Sequence, residues 1–127
     1  MVAFNFSPEF APLVEARIKR QTIRRSDRVR VGQRLQLYTG QRTAACRKLV
    51  TPDPVCTVTT YVHLSADDIV LGSTKHAPRG FDEFARADGF RDYAEMWRWF
   101  SSRYEVSHFI GRLIKWDWPE TSERAPS

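Results

Sequence analysis

From Cys56 to Leu64 the chain alternates, with Cys56, Val58, Thr60, Val62 and Leu64 on one side and Thr57, Thr59, Tyr61 and His63 on the other. A period of two sends successive side chains to opposite faces of a pleated strand, so this is the clearest strand in the sequence. Leu35 and Leu37 alternate with Arg34, Gln36 and Tyr38, and Phe109 to Trp116 alternates near the end. Helical spacing appears twice. Phe10, Leu13, Val14 and Ile18 recur behind Ser7-Pro8-Glu9, which reads as a serine N-cap, a first-turn proline and an acid at the positive helix end. Phe90, Tyr93, Ala94, Trp97, Phe100 and Tyr104 form a second apolar stripe, about 14 residues long.

Punctuation fills in the rest. Gln21-Thr22-Ile23-Arg24 is β-branched at its centre and predicts an extended segment. Thr39-Gly40-Gln41 turns the chain into a second strand over Thr43 to Val50, which Thr51-Pro52-Asp53-Pro54 breaks. Leu71 to Pro78 has little periodicity and reads as a loop, and Phe81 to Ala87 as a short helix stopped at Gly89. A helix, several short strands, helices and a last strand predict an α+β fold, drawn as a small β-barrel or curled mixed sheet with helices at its rim. One domain is expected over residues 1–118, with a polar tail over 119–127. Phe10, Leu13, Leu35, Leu37, Val58, Val62, Phe90, Trp97, Phe100 and Ile114 should share one core. Trp99 and Trp118 fall off the apolar stripes and are expected to be exposed.

Length and composition bound the function classes. The chain has 127 residues, 42% apolar and 28% charged, enough for one core and too apolar for wholesale disorder. No apolar run approaches the roughly 18 residues that cross a bilayer, and the N-terminus lacks a secretory leader's pattern, so a cytoplasmic protein with no membrane partner is expected. Charge is unevenly spread. Arg17 to Lys48 carries 11 Lys/Arg against Asp27 alone, a local net of +10, while the remaining residues sum to −5. Such asymmetry points to a polyanionic partner. Arginines dominate the segment, and their planar forks bind phosphate bidentately and stack on bases. Arg20, Arg24, Arg25, Arg28, Arg30, Arg34 and Arg42 are therefore candidate RNA contacts, with Tyr38, Tyr61 and Trp116 as candidate stacking surfaces.

Cys46 and Cys56 are the only cysteines; in a cytoplasmic chain they read as two small buried apolar residues rather than a disulfide. His63, His76 and His108 are scattered and none sits at metal-ligand spacing with a cysteine, so neither a metal nor a cofactor is expected.

Lys19-Arg20-Gln21-Thr22-Ile23-Arg24 puts an amine, a hydroxyl and a guanidinium within six residues. With Phe10 and Val14 upstream, Val31-Gly32 before a strand, and Ala85-Arg86-Ala87-Asp88-Gly89-Phe90 opening a helix, the pattern resembles the ASCH domain, a relative of the PUA-like RNA-binding barrels. The resemblance spans roughly residues 4 to 117. It implies a PUA-like pseudobarrel whose cleft is lined by the first motif, with RNA or nucleotides as ligands and most members without an assigned activity. A subset resembling this motif are small amidohydrolases that deacylate acetylated cytidine, and the resemblance transfers their lysine, threonine and acid to Lys19, Thr22 and Asp88. The motif arginine corresponds to Arg24. Two positions depart from the pattern: Asp88 is one methylene shorter than the family's glutamate, and Arg17 stands where a glycine usually precedes the lysine.

Amide hydrolysis needs a nucleophile, a base and donors for the oxyanion. Thr22 serves as nucleophile only if Lys19 is neutral, which means lowering its pKa from about 10.4 towards 7 to 8, roughly 4 kcal/mol. Burial and Arg24 push that way and Asp88 pushes back. In a regular strand residues three apart face opposite sides, so Lys19 and Thr22 meet only if the chain bends between them. Four readings follow: an RNA- or nucleotide-binding domain first, then an amidohydrolase, an ASCH-type ribonuclease, and a protein-interaction module.

Overall fold

The computed structural model describes residues 2–26, 28–72, 74–75 and 80–119. Eight strands and three helices follow in the order β1 (Val2–Phe6), α1 (Ala11–Glu15), β2 (Gln21–Arg24), β3 (Leu35–Thr39), β4 (Arg47–Lys48), β5 (Val55–Ser65), β6 (Ile69–Leu71), β7 (Thr74–Lys75), α2 (Phe81–Ala87), α3 (Tyr93–Tyr104) and β8 (His108–Asp117). They build two sheets, β1-β3-β4 and β2-β8-β5-β6-β7. In the first, β1 runs parallel to β3 and β4 antiparallel to it. The second is antiparallel throughout, and its spine is the long pairing of β5 with β8.

The α+β class holds, but neither sheet closes into a barrel or curls strongly on itself. The sheets touch at the bridge Arg34↔Val55, supported by hydrogen bonds from Leu35 N to Pro54 O and Cys56 N to Gln33 O, each 2.9 Å. Closure would need a continuous ladder where the chain passes from β4 to β5. Pro52 and Pro54 supply no N–H there, and β4 pairs over two residues only.

Apolar side chains gather in two clusters rather than the single core expected. One holds Phe4, Phe6, Val14, Leu35, Leu37 and Ile114; the other holds Ile23, Val62, Leu64, Met96, Phe100 and Leu113. Leu113 and Ile114 are neighbours that face different clusters, as the period of two requires. Phe10 is half-buried and packs against both. Val58 is exposed: it keeps the facing of Val62 and Leu64 but lies opposite the exposed Lys115, past the edge of the second cluster, while the bulge between Cys56 and Val58 sends Cys56 to the first cluster. On α3 the buried line is Tyr93, Met96 and Phe100, and Trp97 is only half-buried.

Several local expectations change for identifiable reasons. Ser7 does not cap α1: its carbonyl accepts from Phe10 N and Ala11 N in a tight turn, and the helix starts at Ala11 behind it. Ile18 lies beyond that helix and is exposed. The strand expected from Thr43 shrinks to β4 because the Thr43 hydroxyl donates to Gly40 O and accepts from Ala45 N, offering the backbone a turn instead of a ladder. Leu71 and Thr74–Lys75 belong to a β6–β7 hairpin rather than a loop. Ser73 and residues 76–78 of that stretch, with His76, the following residue 79, and residues 120–127 of the expected tail lie outside the described residues. Cys56 is buried, Cys46 is exposed, and both are free. Among the described residues no helix is long and apolar enough to cross a membrane.

Candidate functional site

The first motif leaves α1 through a sharp bend. Ile18 N and Lys19 N both donate to Leu13 O, at 2.9 and 3.0 Å, and Arg17 sits in the left-handed region at φ 62°. A glycine would adopt that angle without cost; an L-residue there costs roughly 1 kcal/mol. Arg17 therefore holds a turn that favours glycine. Its guanidinium lies 4.1 Å from the Trp118 ring, a cation–π contact of about 0.5–1 kcal/mol that offsets much of the strain.

Past the bend, Ile18 points to solvent and Lys19 turns inward, only 3% exposed. The chain then joins the second sheet as β2, where Thr22 pairs with Ile114 and Arg24 with Arg112. Gly111 on β8 permits that approach, because a Cβ there would lie 2.4 Å from Arg24 O. Lys19 precedes the regular ladder, so the strand's alternation does not separate it from Thr22. Both line one cleft.

Asp88 reaches the same cleft from the other side. It is the C-cap of α2, and Gly89 follows at φ 103°, where a side chain would press on Phe10 at 3.0 Å. The Lys19 amine donates to the Asp88 main-chain carbonyl and stands 3.3 Å from its carboxylate; Gln21 Nε2 donates to the same carboxylate at 3.2 Å. Arg24 Nε donates to the Thr22 hydroxyl at 3.1 Å, and its Nη2 to Asn5 O at 3.0 Å. The Arg24 guanidinium also lies 4.8 and 5.0 Å from the rings of Phe4 and Phe6. Phe6, Phe10, Phe90 and Trp99 wall a space of about 170 Å³ around these groups.

Burial dominates the electrostatics. It pushes the Lys19 amine below the ordinary lysine value, against the pull of Asp88, and Arg24 adds to the lowering. It pushes Asp88 above the ordinary carboxylate value, against Lys19, Gln21 and Arg24. Each partner is drawn toward its neutral form while the other holds it charged. The amine's hydrogen bond goes to Asp88 and the Thr22 hydroxyl accepts from Arg24, so Lys19 and Thr22 share a cleft without bonding one another.

Comparison with protein-family models, with curated proteins and with solved structures finds no match. The likeness to ASCH proteins rests on the motif residues alone.

Of the arginines expected to contact RNA, Arg24 alone lies in the cleft. Arg20 faces away, paired with Asp117 at 3.2 Å. Arg25 and Arg28 line a second groove with Tyr61, Ile110 and Arg112. Arg30, Arg34 and Arg42 are exposed on other stretches, Arg34 beside the inter-sheet bridge and Arg42 in a left-handed turn. Tyr38 is half-buried in the first sheet between Asn5 and Lys48. The aromatics sort differently from expectation. Trp116 and Trp118 are buried, Trp99 is a half-buried cleft wall that donates to Glu9, and Tyr61 is open to solvent.

Gln21 was not among the expected residues; it is buried behind the cleft rather than lining it, and acts on it through its bond to the Asp88 carboxylate. A second omission is the pairing of His63 with His108, whose ring nitrogens are 2.9 Å apart on β5 and β8. Only the strand register shows it. Two imidazoles bonded to each other leave no gap for a phosphodiester between them, so the pair does not favour a ribonuclease. Among the described residues no group of three or more His, Cys, Asp or Glu gathers to hold a metal.

Proposed function

We propose that the cleft around Lys19, Thr22, Arg24 and Asp88 binds the base of a nucleotide or nucleoside, free or within RNA, in the manner of an ASCH-type domain. The observation that carries this reading is the convergence of four polar side chains from two distant segments on one aromatic-walled space. A nucleobase has flat apolar faces and a polar edge, which suits aromatic walls and a cluster of donors and acceptors. About 170 Å³ is small beside ordinary ligand pockets of roughly 300–1,000 Å³, so a base fits and its sugar and phosphate stay outside. Because the Thr22 oxygen already accepts from Arg24, its hydrogen is available to a ligand.

Calorimetric titration with cytidine monophosphate tests this. Saturable binding is expected, weakened about tenfold in Thr22→Val, which keeps the β-branched shape and removes the hydroxyl. An unchanged affinity in a variant that melts like the parent would refute the role given to Thr22.

The amidohydrolase reading is favoured by one observation, the lowering of the Lys19 amine beside Thr22. Against it stand the bonds that hold the two apart and the shortened acid at Asp88. Acetate release from acetylated cytidine decides between them. A binding site gives none in either the parent or Asp88→Glu. Turnover lost in Thr22→Val would establish the enzyme.

A further inference from the structure

The cleft takes a base but little else, and its rim leads somewhere. Tyr104 lines the cleft, and the Arg25 guanidinium lies 5.0 Å from the Tyr104 ring. Arg25 also lines the second groove, a broad space of about 610 Å³ over the outer face of the β5–β8 pair. Arg24 and Arg25 are consecutive at the end of β2, one in the cleft and the other in the groove. The Arg25–Tyr104 contact links a wall of the cleft to a wall of the groove.

The groove is basic with an aromatic and an aliphatic surface. Arg25, Arg28 and Arg112 line it with Tyr61 and Ile110, and no carboxylate is among the described residues there. Tyr61 is 63% exposed and Ile110 is 58% exposed. Tyr61 and Arg112 are cross-strand partners, with the guanidinium 5.4 Å from the phenol ring and its Nε donating to Thr59 at 3.2 Å. An exposed ring braced by a fixed cation, with further arginines alongside, combines the two elements of single-strand binding: a flat surface for a base and positive charge for the backbone.

We infer that the ligand is a single-stranded polynucleotide, with one base in the cleft, the adjoining phosphates over Arg25 and Arg112, and a flanking base on Tyr61. This rests on the nucleotide reading of the cleft and extends it to the substrate class. Arg25 steers the strand at the junction, and Tyr61 is the platform for the neighbour.

The test compares cytidine monophosphate with a labelled oligocytidylate of about eight nucleotides, by calorimetry and fluorescence anisotropy, in the parent, Tyr61→Ala, Arg25→Gln and Thr22→Val. The oligomer should bind at least tenfold tighter than the monomer. Tyr61→Ala should lose about tenfold for the oligomer, within the range of one base–aromatic stack, and leave the monomer unchanged. Arg25→Gln should flatten the log–log salt dependence by about 0.7, one phosphate's share. An oligomer that binds no better than the monomer, or is indifferent to Tyr61→Ala, overturns the inference while leaving the cleft reading intact. An oligomer that depends on Tyr61 with no monomer binding, and none of its affinity lost in Thr22→Val, upholds the track and overturns the cleft. Polyglutamate competing as well as the oligomer shows a mere polyanion patch and overturns the inference.

Discussion

Lys19 and Asp88 are the most consequential residues because each is almost wholly removed from water. Burying an ion pair costs several kcal/mol per charge, and the pair recovers this only through close contact and further hydrogen bonds. Removing one partner leaves the other stranded. Lys19→Met should therefore destabilise the fold by about 3–5 kcal/mol near neutral pH, whereas Lys19→Met with Asp88→Asn should recover most of that loss. The pH dependence follows from the directions of the shifts. Asp88 is raised in the native state, and more so without Lys19, so between its ordinary and native values the folded chain holds more protons. Stability of Lys19→Met must then climb as pH falls through the native Asp88 value. Lys19 is lowered, so in the parent the unfolded chain holds more protons between the native and ordinary lysine values, and stability rises with pH across that window. Thermal melts from acid to alkaline pH read both slopes. A Lys19→Met melt that does not depend on pH would remove the stranded carboxylate from the explanation. The candidates Lys19, Thr22, Arg24 and Asp88 were legible in the sequence because their residue types and spacing carry the motif. Gln21 was not, since a glutamine in an extended segment signals burial only once its partner is known.

At the scale of elements, regular periods were readable and their interruptions were not. Phe81–Ala87 matches its expected bounds, and Gln21–Arg24 is the extended segment that its β-branched centre indicates. Alternation put Cys56 and Val58 on one face, but one inserted residue reverses the facing of Cys56, and Val58, still aligned with Val62, ends opposite the exposed Lys115. The parallel strand β1 was passed over, although Val2, Phe4 and Phe6 alternate with Ala3 and Asn5, and the evidence for it is a pairing with residues more than thirty positions away. On α3 the spacing of large aromatics drew the stripe through Trp97, whereas packing runs it through Met96. Met96 is fully buried, so Met96→Ala should cost about 2–5 kcal/mol by loss of contact and the cavity left behind. Trp97→Ala should cost less, because that ring keeps part of its surface in water. Chemical denaturation of the two variants checks the order, and a larger loss for Trp97→Ala would mean the helix is rotated from its described facing.

For the molecule as a whole, the basic segment behaves as several surfaces rather than one. Its arginines divide among the cleft, the groove beside Tyr61, and loops around the first sheet, because β2 and β3 carry them into different sheets. A linear count of charge could not show that division. The expected barrel is replaced by two open sheets, and the meeting of the first motif with Asp88, on which the proposed ligand site rests, depends on the left-handed bend at Arg17 and the turn at Gly89 rather than on closure. Whether that meeting point holds a base is best measured by following backbone amides in a proton–nitrogen correlation spectrum during titration with cytidine monophosphate. Saturable shifts should be largest at Thr22, Ile23 and Gly89, and Thr22→Val should need about tenfold more ligand to reach the same fraction of them. Shifts confined to Arg30, Arg34 and Arg42, with Thr22 and Gly89 unmoved, would contradict the cleft as the nucleotide site.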